Sequence, residues 1–598
     1  NLPLGAAPLY KHCEGTVRKV YVTAAILGLF AGLPAAAPAA PVSAIVAENS
    51  LPGSTDWVRQ QGGDIQIYGT QISAAPGGEI DLHVSTAYRY RVIAYRLGWY
   101  GGDGAREVAC VPSCGGDEAG ALQPQPQPPF PAASEAPIRA NWPVTDVLST
   151  GPDWTSGYYL VEAILTNGPM AGRVATTFFV LHETAESSPS QIVVQVPVNT
   201  WEAYNSWGGR SLYSFTGPRM YRVSFERPFG FLAQSPFWWE IDLVRFLERE
   251  GYDVSYQTDL DTHADPGSLL RHRLVIDAGH DEYWTAAMRD AFATALGDGT
   301  NLAFMGSNDA YWHAEYEDGG QTIFAYKSLY DPNPILQQKT ALWREIGHPE
   351  CELTGTENQS VSSLTHPLDY TVTAAGAEDP WLRGTGLAAG SVIAGIVGRE
   401  HDVLNPFPQS CVHPGLVDLF RYAGAPGDQN GDGVRFTAPS GARIFASGAQ
   451  AFSLALDDWR SDGTIAPQTP VVADRVVPVD PRVQQFMRNA LDDLTRPASP
   501  QQLVVTQSGR WLKVEFAPDP DARIRTVVVG VRRGDTWLPL CHGLTGCIGS
   551  AHGMAGQQQV GAVAVDQWNR NSSAAYGTVT VREVSGRSTR GRGGRAFP

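Results

Sequence analysis

Residues 274–284 read LVIDAGHDEYW. The stretch opens as an apolar run, Leu274-Val275-Ile276, the composition of a buried strand. It ends in Gly279-His280-Asp281-Glu282-Tyr283-Trp284, a dense series of polar and aromatic groups. A helical pattern follows at once, carried by Ala286, Met288, Ala291, Phe292 and Leu296. A strand that ends polar and runs into a helix is a unit of a parallel α/β sheet, whose ligands bind at the strands' carboxyl ends. His280 and Glu282 flank Asp281, so an extended exit projects both to one side. The competing reading makes the acids caps of the following helix and packs His280 on the tryptophan. The stretch alone does not choose between them.

Its neighbours in sequence repeat the pattern. Ile192-Val193-Val194-Gln195-Val196 reads as a buried strand and leads into the polar, aromatic run 199–209. Trp239 to Glu250 has the apolar spacing of an amphipathic helix and stops at Gly251. Val254-Ser255-Tyr256 is a further strand, and Leu302 to Gly306 another, which runs into Ser307-Asn308-Asp309. Strand–helix alternation predicts a parallel sheet with helices on its faces. A fourth polar patch, Gly398-Arg399-Glu400-His401-Asp402, follows the apolar run Val392 to Val397. Four polar strand exits are harder to assign to capping than one, and they predict a functional cleft. Residues 320–440 read as irregular loops over the sheet's carboxyl edge, Ala442 to Leu456 as a strand and turn, and Pro481 to Thr495 as a closing helix.

At 598 residues the chain is too long for one core, and a length prior gives roughly three to four domains. Residues 45–187 alternate apolar and polar positions between Gly-rich turns and read as a β-sandwich. Residues 190–496 form the α/β part, and 499–583 return to β signals in a small sandwich that resembles a fibronectin type III module. The Arg/Gly/Ser-rich tail, 584–598, reads as disordered. The fold class is therefore multidomain, α/β plus all-β.

The formal net charge of -17 argues against a nucleic-acid partner. Residues 1–44 have the layout of a signal peptide: Arg18-Lys19, an apolar run from Val20 to Leu33, then small residues to Ala44. The run is shorter than the about 20 residues a membrane helix needs, so no stable transmembrane segment is expected. Loss of this leader removes Cys13 and leaves six cysteines. Spacing suggests the pairs Cys110–Cys114, Cys351–Cys411 and Cys541–Cys547, and an even count after export favours disulfides over a zinc site. Secretion follows as an expectation.

No Gly-x-Ser-x-Gly elbow or cysteine sits where a strand meets a helix, which disfavours acyl transfer through serine or cysteine. Carboxylates, histidine and phenols suit a hard metal or carboxylate acid–base chemistry instead. Asp428-Gln429-Asn430-Gly431-Asp432-Gly433 imitates a calcium loop, but Pro439 stands where the EF-hand pattern needs glutamate, so it reads as a polar turn.

The ordered set NTWEAYNSWGGRSLY, GHDEYW, MGSND, LWR at 342–344 and GREHD resembles the large subunit of N,N-dimethylformamidase over residues 190–490. A weaker likeness, through RLGWYGGDGAR, reaches the preceding sandwich. The resemblance implies a catalytic domain similar in fold to class I glutamine amidotransferases but without their cysteine. It implies an amidohydrolase with one ferric ion held by two tyrosines and a glutamate. Carried over, Glu282 is the carboxylate ligand and Tyr204 one phenolate. Tyr159, in the SGYYLV strand, is the choice for the second, ahead of Tyr158 and Tyr213. His280, Asn308 and Glu400 match polar residues that line the site, with Glu400 as the proton acceptor. The substrate expected is a small-molecule amide, and a homo-oligomer or a small subunit is the expected partner. The rival class is a non-catalytic exported protein that binds glycans or cell wall through aromatic loops such as Trp99-Tyr100.

Overall fold

Leu274–Asp277 is a strand in which no residue is more than 2% exposed. Burial of each such aliphatic side chain contributes about 1.5–3 kcal/mol, and the run has no other use for its composition. The computed structural model describes residues 43–126, 136–184, 189–214, 218–230, 237–361, 368–398, 400–407, 410–424, 430–459, 477–517 and 521–582. The leader up to residue 42, the tail from 583, Arg399 and Asp428-Gln429 lie outside them.

Nine strands make the central sheet: β1 (Ile192–Val196), β2 (Val254–Thr258), β3 (Leu274–Asp277), β4 (Asn301–Phe304), β5 (Tyr370–Val372), β6 (Val392–Ile393), β7 (Val417–Tyr422), β8 (Gly431–Thr437) and β9 (Arg443–Ala446). The spatial order is β2-β1-β3-β4-β9-β8-β7-β5-β6. The half from β2 to β9 is parallel, as the strand–helix alternation predicts. The half from β9 to β6 is antiparallel. Residues 320–440 therefore do not merely loop over the carboxyl edge; they supply β5 to β8 and widen the sheet. Two of these strands are two or three residues long, too short to show a period of two.

Six helices matter below: α1 (Ala44–Asn49), α2 (Val198–Tyr204), α3 (Ile241–Arg249), α4 (Asp259–Ala264), α5 (Ala286–Gly297) and α6 (Pro481–Leu494). Thr285 caps α5, its side chain accepting from Met288 N. Asp281 and Glu282 are thus not needed as caps, and the bland reading of the opening stretch falls.

The N-terminal part is a sandwich of a three-stranded and a six-stranded sheet. Ile65, Ile67, Ile80, Leu82 and Val84 fill its core with Tyr159 and Phe179. It does not stand apart, because residues Val42–Thr495 form one compact unit. Arg96, on the strand Arg89–Leu97, reaches Glu248 of α3 through two bonds of 3.0 and 2.9 Å, both side chains fully buried. Removing one partner of such a pair costs about 3–5 kcal/mol, because the other charge stays buried.

The second unit contains Arg496–Pro598. Its described residues form a three-stranded and a four-stranded antiparallel sheet over a core that includes Leu512, Val529 and Ala562. Disulfides join Cys110 to Cys114, Cys351 to Cys411 and Cys541 to Cys547, the pairs that spacing suggested. Among the described residues no helix is long and apolar enough to cross a membrane.

Candidate functional site

The exits of β3 and β4 meet through two glycines. A Cβ on Gly306 would lie 1.4 Å from the Gly279 carbonyl oxygen, and Gly279 itself has φ +72°. Only glycine allows this approach, and it places His280-Asp281-Glu282 against Ser307-Asn308-Asp309. His280 Nδ1 bonds to the Ser307 carbonyl at 2.8 Å, which fixes its ring. Asn308 holds a left-handed φ of 60° and donates its side-chain amide to Glu400 Oε2 at 2.9 Å. His280 Nε2 lies 3.2 Å from the same oxygen and 3.7 Å from Glu282 Oε2. Asp281 points the other way and accepts from Gln195 Nε2 at 2.9 Å. The one-sided projection of His280 and Glu282 is therefore present.

Glu400 opens the strand Glu400–Val403, paired with Glu357–Val361, so it reaches the site from a strand start rather than a strand exit. Tyr204 is the last residue of α2, and its ring lies 4.2 Å from that of Tyr213. The Tyr213 hydroxyl donates to the Glu282 carboxylate, 2.7 Å from Oε1 and 2.6 Å from Oε2. Tyr283 donates to the Tyr213 hydroxyl at 2.8 Å, and Lys327 Nζ donates to Tyr283 at 2.7 Å. Trp312 Nε1 donates to Glu282 Oε1 at 3.0 Å.

Tyr159 does not join this group. It lies in the sandwich core, stacks on Trp154 and Phe179, and donates to the Thr155 carbonyl at 2.7 Å. Tyr158 packs against Trp201, Phe237 and Tyr256. The second phenol beside Glu282 is Tyr213, which stands in the same NTWEAYNSWGGRSLY run as Tyr204. Lys327, Tyr283 and Trp312 were not assigned roles from sequence. Tyr283 sat within the polar series 279–284 and offered that signal, whereas Trp312 lies three residues past Asp309 and Lys327 in a stretch without periodicity.

Burial, reinforced by the Glu282 and Glu400 carboxylates, holds the Tyr204 phenol far above its usual range. Burial and Glu282 do the same to Tyr213. Burial also raises Glu282 and pushes Lys327 down to about 8. For His280, burial acts downward, but Glu400 and Glu282 outweigh it and lift the imidazole to about 9. The two carboxylates thus favour the protonated imidazole.

The donor set suits a hard cation. The Tyr213 hydroxyl meets the buried Glu282 carboxylate at 2.6–2.7 Å, about the separation of cis ligands of one ion, and the buried Tyr204 packs its ring on that of Tyr213 at 4.2 Å. His280 Nε2 and Asn308 Oδ1 are buried and have no hydrogen-bond partner among the described residues. Among the described residues, a His/Cys/Asp/Glu group with metal-ligand spacing, Glu107-Cys110-Cys114, is closed by its disulfide. The calcium-like run also has a structural use: Asp432 accepts from Arg421 Nε at 2.8 Å and from Leu404 N at 2.9 Å.

A family model described as N,N-dimethylformamidase beta subunit-like, C-terminal, matches residues 91–465, more than half of the chain. The N,N-dimethylformamidase beta subunit of Alcaligenes sp is 27% identical over 120 residues, which cover 20% of this chain and 16% of that protein. The Paracoccus aminophilus beta subunit is 29% identical over 92 residues, covering 15% of this chain and 12% of that protein. The chain thus spans less than a fifth of the length of either relative. A human fibronectin type III domain of solved structure is 19% identical and covers 16% of this chain and 86% of that chain, with a TM-score of 0.13, too low to carry an argument.

Proposed function

Because the chain belongs to the N,N-dimethylformamidase beta subunit-like family, we propose that it hydrolyses the carbon–nitrogen bond of a small or N-substituted amide, using one ferric ion held by Tyr204, Tyr213 and Glu282. The observation that carries the reading is the Tyr213 hydroxyl set against both oxygens of Glu282, beside Tyr204 and next to the Glu400–His280–Asn308 group. When bound, the ion supplies Lewis acidity toward the amide carbonyl or an attacking water. Two phenolates and a carboxylate favour a ferric ion over zinc or copper, which prefer nitrogen and sulfur.

The chain's own groups do the proton work. Glu400 is held by the Asn308 amide and faces the His280 imidazolium. It accepts a proton from the attacking water and delivers it to the amine as the carbon–nitrogen bond breaks. His280, cationic and fixed through Ser307, donates to the oxyanion that develops on the former carbonyl oxygen. Asn308 orients Glu400.

The relatives' name makes dimethylformamide the first substrate to try, and their designation as beta subunits makes a homo-oligomer or a small partner subunit part of the proposal. Three disulfides support an extracytoplasmic location. The parallel strands β2-β1-β3-β4-β9 support a glutamine amidotransferase-like sheet. Nothing favours the glycan-binding rival at Trp99, whose ring is covered by the guanidinium groups of Arg245 and Arg249 at 4.8 and 5.3 Å.

The test is amine release from dimethylformamide and a panel of small amides. Wild type should turn over at least one. Glu400→Gln should lose about 10²- to 10⁴-fold in rate, the range of general acid–base contributions, while it keeps its metal. Turnover unchanged in Glu400→Gln, or absent from wild type across the panel, would overturn the reading.

A further inference from the structure

Trp312 holds a place that packing alone does not explain. It begins the two-residue strand Trp312–His313, which runs parallel to Tyr283–Trp284. Its main-chain N–H donates to the carbonyl of Glu282 at 2.8 Å, and that of Tyr311 donates to the same oxygen at 3.2 Å. The backbone of Trp312 is therefore pinned to the residue whose side chain its indole also binds. That indole N–H donates to Glu282 Oε1 at 3.0 Å. On the other side, Glu282 N donates to Thr200 Oγ1 at 2.8 Å, so the residue is anchored at its amide, its carbonyl and one carboxylate oxygen. The Lys327 ammonium lies 5.1 Å from the centroid of the Trp312 ring. A cation over an indole draws charge from it and strengthens its N–H as a donor.

We infer that Trp312 is a positioning residue for the metal ligand Glu282: its indole N–H holds Oε1 and so fixes the orientation in which the carboxylate faces Tyr213. This rests on the metal reading proposed above. A carboxylate free to rotate presents its oxygens in any orientation, whereas one held by a donor at one oxygen keeps a single orientation. Partners of this outer kind govern metal affinity almost as strongly as the ligands do. The donor also withdraws charge from the carboxylate, so it leaves the ion a better acceptor for phenolate charge.

Trp312→Phe keeps an aromatic ring on the same backbone and deletes the donor. The probe is ferric ion itself, added to the metal-free full-length chain and then challenged with a chelator. Retention should fall about 10- to 100-fold. The phenolate-to-iron band should move to shorter wavelength, because a carboxylate without its donor gives the ion more charge. The melting temperature of the metal-free variant should match that of metal-free wild type. Unchanged retention and an unmoved band, in a chain whose wild type shows the band, would overturn the role of Trp312 and leave the metal reading intact. A wild type that binds no ferric ion and shows no band would overturn both. Failure of the Phe variant to fold would assign the indole to the core and also overturn the inference.

Discussion

Asp281 and Glu282 are neighbours in sequence and opposites in use, one turned to Gln195 and the other to Tyr213 and Trp312. Single side chains decide the site's charge as well. His280 is pushed toward the cation because two carboxylates face it, and Lys327 toward neutrality because burial outweighs those same carboxylates. Away from the site, Glu350 shows burial outweighing a paired guanidinium. Burial lifts its carboxyl to about 8, although Arg344 Nη2 donates to it at 2.5 Å and acts in the opposite sense. The fold therefore prefers this group protonated. A carboxyl raised in the folded state contributes stability that is full below about 4.5, its ordinary value, and is lost as pH rises through about 8. Glu350→Gln keeps an acceptor for Arg344 and cannot ionise. Thermal melts at pH 6 and pH 9 should show a smaller drop for the variant than for wild type. Parallel curves would show that Glu350 does not contribute to the alkaline loss.

The element that organises the site is the pair of strand exits after β3 and β4, and its tolerance is set by glycine. Gly306→Ala places a methyl group into the Gly279 carbonyl. Overpacking of this kind costs about 1–3 kcal/mol, and with backbone atoms on both sides no side chain can yield. The variant should melt several degrees below wild type and lose metal affinity together with stability. A melting temperature equal to wild type would mean that the exits move apart at no cost. This element was legible in the sequence because an apolar run, a glycine and a polar series follow one another without interruption, in LVIDAGHDEYW and again in LAFMGSND. Tyr213 was less legible. It lies in a bend among glycines and serines, with no period to say where its ring points, and Tyr159 had the advantage of a strand whose inner face turned out to be the sandwich core. Strand β5 was invisible for a different reason, since its pairing is set by partners far along the chain rather than by its own three residues, whereas β6 opens the apolar run Val392 to Val397 that the sequence marks as a strand. Trp99 read as an exposed platform because its cover, Arg245 and Arg249, comes from α3. The Cys351–Cys411 bond closes a loop across a sequence separation of 60. Closing a loop of that length removes about 4 kcal/mol of unfolded-chain entropy. Cys351→Ser with Cys411→Ser should lower the melting temperature accordingly, and an unchanged value would place the restraint elsewhere.

At the scale of the molecule, every group of the candidate site belongs to the unit Val42–Thr495. The unit Arg496–Pro598 contributes none of them and has its own core. A chain that ends at Thr495 should fold cooperatively and keep its metal; loss of both would show that the terminal module completes the catalytic unit. The first described residues are held by packing. Ser43 caps α1 by accepting from Val46 N, Ile45 is buried to 1% exposure, and Glu48 binds Arg106 at 2.7 Å. The signal-like layout placed the end of the leader at residue 44, a cut that removes this cap. The central claim is the ferric site, and the most direct measurement is the iron content and visible spectrum of the purified full-length protein, with Tyr213→Phe beside it. The account predicts one iron per chain and a phenolate-to-iron charge-transfer band in wild type, with both lost in Tyr213→Phe while the fold is kept. A colourless, iron-free wild type from iron-replete cells, or a Tyr213→Phe variant with unchanged iron and colour, would contradict it.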